Sequence, residues 1–283
     1  MIVVTGASGQ LGRLVIAALL KSVPAGDIVA AVRNPDKAAD LAALGVVLRR
    51  ADYADPASLD AALLGADKVL LISSNALGQR LAQHRAVIDA AKRAGVSLFV
   101  YTSVLRADSS ALGLAAEHWQ TEQAIAASGL PSVILRNGWY SENYTAALPN
   151  AVVHGAVFGS AGEGRIASAA RKDYALAAAT VLSGSGHAGK VYELAGDGAY
   201  TLSELAQEVA HQTGKPVRYQ NLPQAEYQAL LIKVGLPEEI AALLANADNA
   251  AAQGALFDDG RQLSALIGQP TTPLAVSVAA ALA

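Results

Sequence analysis

Cysteine is absent from the 283-residue chain, which excludes disulfides, thiolate catalysis and cysteine zinc sites together. Five histidines remain as metal ligands, but His84, His118, His154, His187 and His211 never fall within one helical turn of each other, so no metal-ligand spacing exists. Charge of one sign is also lacking. Lys and Arg number 21 against 24 Asp and Glu, with no run of like charges, so the basic patch of a nucleic-acid binder is missing. Although 53% of residues are hydrophobic, much of that is Ala, and no apolar run approaches the ~20 residues of a membrane span. No basic segment and cleavage site precede Met1-Ile-Val-Val, which reads directly as a strand. Together these absences give the expectation of a soluble cytoplasmic protein with no membrane insertion and no nucleic-acid partner.

What is present is a repeated β–α pattern. Strand-like runs at 1–5, 27–32, 46–50, 68–72, 98–101 and 132–135 alternate with amphipathic stretches at 10–22, 36–44, 56–64, 80–94 and 114–128. Continuous apolar strands separated by helices predict a parallel sheet covered on both faces, hence an α/β, Rossmann-type doubly wound fold. After about Ser141 the regularity loosens. Thr201 and Glu204 have capping-box spacing before an amphipathic helix, and two short helices flank Gly235-Leu236-Pro237. The expected organisation is a dinucleotide-binding domain over 1–140 and a smaller C-terminal α+β substrate lobe over 141–283. Aromatics are scarce, two Trp, nine Tyr and three Phe, yet Trp139, Tyr140 and Tyr144 crowd into "LRNGWYSENY" with Asn137, Glu142 and Asn143.

"TGASGQLG" follows the first strand and opens the first helix. In it Gly6, Ala7, Ser8, Gly9, Gln10, Leu11 and Gly12 form a candidate pyrophosphate loop, with Ser8 and Gln10 at the phosphates and Leu11 packed inward. Glycine is needed there for a tight turn and for bringing backbone N–H groups close to phosphate oxygens. The second strand ends in Arg33, where NAD-selective folds place a carboxylate; a guanidinium suits the 2′-phosphate of NADPH instead, with Lys37 as extra charge. Asp52 and Tyr53 would flank the adenine, although Asp52 could instead brace the turn before Asp55-Pro56. Ser73, Ser74 and Asn75 end the fourth strand and Thr102 and Ser103 the fifth, which puts all five in the ligand crevice. The sixth strand leads into Asn137, Gly138, Trp139, Tyr140, Ser141 and Glu142, expected to line the cofactor-and-substrate cleft, which Arg171 could also reach.

The combination "VTGASGQLG", "VRNPDKA", "ADYADPASL", "LLISS", "AAKRAGV", "YTS" and "LRNGWYSENY", continuing through "GKVYELAGDGAYTLSELA" and "LIGQPTTPLA", resembles NmrA-like atypical short-chain dehydrogenase/reductases along essentially the whole chain. It is most similar to the branch that reduces quinones. That resemblance implies an NADPH-binding reductase of quinones with no metal and no flavin. The Tyr-x-x-x-Lys pair of the broader superfamily is missing: Leu114 and His118 fall at those positions. A quinone tolerates the loss, because hydride addition leaves a phenol-like oxyanion that needs no strong acid. Tyr140, Asn143 and Asn137 are the candidates for contacting or polarising the acceptor. His118 reads as a partly exposed helix residue, and the glycines of 155–164 as a strand–turn. Two other readings share these residues: a non-enzymatic NADP(H)-sensing regulator, and a reductase of another carbonyl or enone. The base rate for soluble enzymes favours a homodimer.

Overall fold

A computed structural model of the protein describes residues 1–76 and 78–283. The elements run β1 (Ile2–Thr5), α1 (Gln10–Leu19), β2 (Ile28–Val32), α2 (Ala39–Ala42), β3 (Val47–Arg50), α3 (Pro56–Leu63), β4 (Lys68–Leu71), α4 (Arg80–Ala94), β5 (Leu98–Val104), α5 (Ala115–Ser128) and β6 (Ser132–Asn137). They continue with α6 (Glu142–Thr145), α7 (Leu148–His154), β7 (Ala156–Gly159), α8 (Arg171–Ser183), β8 (Val191–Leu194), α9 (Leu202–Thr213), β9 (Arg218–Asn221), α10 (Gln224–Lys233), α11 (Glu238–Ala252), α12 (Gln262–Ile267) and α13 (Leu274–Leu282).

Seven strands form one sheet in the order β3-β2-β1-β4-β5-β6-β8, and the six from β3 to β6 pair in parallel. Strand order reverses between β1 and β4, which opens a crevice at their carboxyl ends. Strands β1 and β2 are buried at every residue because helices cover both faces of the sheet there. The fold is therefore α/β and doubly wound, as the alternation predicts. The chain divides into two compact units that interleave. One holds Met1–Ala107, Ala116–Asn137 and Arg171–Tyr192; the other holds Asp108–Ala115, Gly138–Ala170 and Glu193–Ala283.

Two departures from the expected elements have local causes. The helix expected over 36–44 is a 3-10 turn, Pro35–Ala38, followed by the single turn α2. Pro35 starts the segment and the Asn34 side chain accepts from Asp36 N at 3.0 Å, an arrangement that favours a capped turn over a long helix. Strands β5 and β6 run three and two residues further than the apolar runs, with Thr102, Ser103 and Val104 paired to Leu135, Arg136 and Asn137. The polar residues stay in the sheet because they satisfy one another. Arg136 Nε and Nη2 donate to Glu122 of α5, and Ser103 Oγ donates to the same carboxylate at 2.5 Å.

In the second unit β7 and β9 pair in parallel. Helix α9 opens with the expected capping box, Thr201 and Glu204 exchanging hydrogen bonds at 2.7 and 3.1 Å. Among the described residues, no helix is long and apolar enough to cross a membrane.

Candidate cofactor site

The first turn after β1 is built around two glycines that cannot be replaced cheaply. Gly6 has φ +60°, a left-handed conformation. A Cβ on Gly12 would stand 2.5 Å from Gly6 O and 2.6 Å from Ala7 Cα, so helix α1 reaches this closely to the loop only with hydrogen there. Gly9 caps α1, with its N–H donating to Gly6 O at 3.0 Å. Ala7 and Leu11 are buried, while Ser8, Gly9 and Gln10 stay exposed at the helix N-terminus. The loop thus anchors through its apolar residues and leaves its polar ones outward, the arrangement an anion needs.

A cavity of about 350 Å³ opens beside this loop, wholly within the first unit. Gly6, Ser8, Gly9, Arg33, Asp52, Tyr53, Ser73, Ser74 and Asn75, nine of the residues singled out from the sequence, line it. Arg33 is exposed, and no described residue pairs with its guanidinium. Lys37 lies in the 3-10 turn, exposed and outside the cavity wall. Asp52 does what its alternative reading allows, accepting from Ala54 N at 3.0 Å through Oδ1. Tyr53 closes the floor: its hydroxyl donates to Thr5 Oγ1 at 2.6 Å, and burial pushes its pKa up to about 12, so it is a neutral wall.

The wall after β4 is held from α4 and α5. Ser74 N donates to His84 Nε2 at 2.9 Å, and Arg80 Nε donates to Ser74 O at 2.7 Å. Arg80 also pairs with Glu117, whose other oxygen accepts from Gly78 N. Burial, then the Arg80 charge, pushes His84 down to about 3, so its ring is neutral. With Nε2 accepting, Nδ1 carries the proton and donates to Thr121 Oγ1 at 3.0 Å.

Other expected positions lie elsewhere in the first unit. Thr102 Oγ1 accepts from Ser73 N at 2.9 Å, and the Ser103 hydroxyl is bound to Glu122, so both hydroxyls work inside the sheet. Asn137 is 5% exposed at the carboxyl end of β6, and its Oδ1 has no hydrogen-bond partner among the described residues. A buried amide oxygen left without a donor is costly, so an N–H or O–H brought to it would be stabilising. Arg171 is the first residue of α8. His118 is not the partly exposed residue the sequence suggested. It is 3% exposed, its Nδ1 lies 2.7 Å from the Tyr101 hydroxyl, and burial holds its pKa well below the usual value.

The remaining expected residues belong to the second unit. Gly138 N donates to Leu194 O, and Trp139, Tyr140 and Ser141 pair with Ala169 through backbone bonds. Ser141 Oγ continues to Ser168 and the Tyr200 hydroxyl at 2.9 and 2.7 Å. Glu142 and Asn143 are half-buried in α6. Among the described residues there is no cluster of metal-binding side chains.

Residues 1–274 match the NmrA-like family. The chain belongs to that family. Among NmrA-like relatives, quinone oxidoreductase 2 of Escherichia coli K12 is 59% identical over 278 residues, 98% of this chain and 97% of that protein. The crystal structure of the Escherichia coli NADPH-dependent quinone oxidoreductase QOR2 with NADPH superposes with a TM-score of 0.98, at 57% identity and full coverage of both chains. The Citrobacter triphenylmethane reductase complexed with NADP(H) has a TM-score of 0.96 at 40% identity, covering 99% of this chain and all of the other.

Sequence reasoning missed Gln83 of α4, which lines the cavity, because a glutamine on a helix face gives no signal of its own. It also missed Asp248 of α11, which receives the Tyr144 hydroxyl from 104 residues away.

Proposed function

We propose that the protein is an NADPH-dependent reductase of quinones. The observation that carries this reading is the cavity beside the glycine loop, where the unpaired Arg33 cation and the exposed N-terminus of α1 meet the needs of a 2′-phosphorylated dinucleotide. The cofactor fits the residues present: Gly12 leaves the space for backbone approach, and the orphaned Asn137 Oδ1 is an acceptor for a carboxamide N–H. Bound NADPH supplies hydride. Gly6, Ser8, Gly9 and Gln10 hold the pyrophosphate, Arg33 the 2′-phosphate, and Asp52 with the Tyr53 wall the adenine.

No strong acid is called for. A quinone that accepts hydride becomes a phenol-like oxyanion, and one proton from water completes the hydroquinone. Leu114 is half-buried and His118 is a neutral buried residue held by Tyr101, so neither reproduces a phenol–ammonium pair. Tyr140 and Asn143, following Asn137 along the chain, hydrogen-bond to the acceptor oxygen and orient it. The second unit is the acceptor lobe, and a cytoplasmic homodimer completes the reading. The likeness to the triphenylmethane reductase favours one further acceptor class, delocalised carbocations of the triphenylmethane type, because hydride alone neutralises them.

The test follows loss of the reduced-nicotinamide absorbance with NADPH and NADH across simple quinones, enones, aldehydes and a cationic triphenylmethane dye. Cofactor binding is measured in the same samples. Turnover with quinones and NADPH is expected, with Tyr140→Phe and Asn143→Ala slowing it while NADPH still binds. Tight NADPH binding with no turnover on any acceptor would replace the enzyme by a sensor.

A further inference from the structure

The wall after β4 contains a chain of hydrogen bonds that ends in an unfilled donor. Ser74 is fixed at three atoms. Its N–H goes to His84 Nε2, its carbonyl receives Arg80 Nε, and its Oγ accepts from Ala76 N at 3.1 Å. The Ser74 hydroxyl proton then goes to Gln83 Oε1 at 2.5 Å. In this arrangement the Gln83 amide turns its oxygen to the hydroxyl proton and its nitrogen away from Ser74. The Nε2 group is left with two N–H donors, and no described residue accepts from it. Gln83 is half-buried and lines the same cavity as Arg33, Asp52 and Tyr53.

We infer that Gln83 is a binding residue for the adenosine half of the cofactor, its Nε2 donating to an uncharged acceptor of the adenine or its ribose. This rests on the reading that the cavity takes NADPH. The phosphates have their own partners in the glycine loop and Arg33, which leaves the base and sugar for the cavity's neutral groups. Asp52 offers a carboxylate oxygen on one part of the wall and Gln83 offers N–H groups on another, and an adenosine carries both donors and acceptors. The amide is oriented before the ligand arrives, so binding does not have to freeze a loose side chain.

The experiment titrates the protein with adenosine 2′,5′-bisphosphate by calorimetry and with NADPH by fluorescence, each at low and high salt, without any acceptor. The variants are Gln83→Leu, which keeps shape and removes both donors, Gln83→Asn as the conservative partner, and Ser74→Ala, which frees the amide to rotate. Gln83→Leu is expected to weaken both ligands by about tenfold at either salt concentration, because a neutral hydrogen bond is not screened. Ser74→Ala is expected to weaken them less, and nicotinamide mononucleotide binding should not change. Unaltered affinity of Gln83→Leu for both adenosine ligands, with the wild type binding them normally, overturns the assignment. Failure of the wild type to bind adenosine 2′,5′-bisphosphate would instead overturn the cofactor reading beneath it. Unfolding temperatures of all variants separate lost affinity from lost fold.

Discussion

Among the described residues of the first unit, the Arg33 guanidinium, the Asn137 Oδ1 and the Gln83 Nε2 have no protein partner. The main buried polar centre of the second unit is arranged in the opposite way. Asp248 is 3% exposed, its Oδ1 accepts the Tyr144 hydroxyl at 2.8 Å, and its Oδ2 accepts Ser160 N at 2.9 Å. Gly159 makes that approach possible, since a Cβ there would lie 2.6 Å from Asp248 Oδ2. A group left open by the fold is available to a ligand, and a group closed by the fold is not. Asn137 and Asp248 look alike in a burial profile, at 5% and 3% exposed, and differ in whether their carbonyl or carboxylate oxygens meet a protein donor.

The two centres also respond to acid in opposite senses. His84 has a folded value of about 3 against an ordinary 6.5, so the unfolded chain binds more protons between those values. Its contribution to stability is complete above 6.5 and is lost as pH falls. Asp248 is raised from 3.8 to about 6 by burial, so the folded chain binds the extra proton there. Its ionisation costs stability as pH rises through that window.

Three substitutions test the comparison. The largest effect is expected from Gly12→Val in the open site. Its side chain overlaps backbone, which costs about 1–3 kcal/mol of stability, and NADPH binding should fall below detection in a fluorescence titration. Next is Arg33→Asp, which replaces a charge-assisted pair with a repulsion. NADPH affinity should fall by roughly a hundredfold while NADH affinity changes little. An unchanged ratio of the two dissociation constants would mean that Arg33 faces no phosphate. The smallest effect on NADPH binding is expected at the closed centre. Asp248→Asn should leave NADPH affinity intact, and its unfolding temperature relative to wild type should climb as pH rises from 3.8 to about 6, then level off. The gain is at most ~3 kcal/mol, set by a shift of about two pKa units. Loss of NADPH binding in this variant would break the distinction between open and closed polarity.

Much of the fold was legible because local and tertiary demands agree. Most of the six parallel strands centre on three or more apolar residues, and the glycine spacing marks the loop that joins the first to its helix. Arg33, Asp52 and Ser73–Asn75 were legible for the same reason, since strand ends in a doubly wound sheet share one edge. The extension of β5 and β6 was not legible, because Ser103 and Arg136 look like strand-ending residues until Glu122 from α5 reaches them. Nor was the burial of His118, which depends on the Tyr101 hydroxyl of a neighbouring strand.

By itself the sequence determined the β–α alternation, the glycine turn after β1 and the cation at the end of β2, because each depends on residues within one or two consecutive elements. Only the tertiary structure decided which polar groups are open. Whether Asn137, Gln83, Ser103 or Asp248 meets a protein partner or faces a ligand depends on atoms brought from distant parts of the chain, and hydrogen-bond pairing between such atoms leaves no trace in sequence spacing.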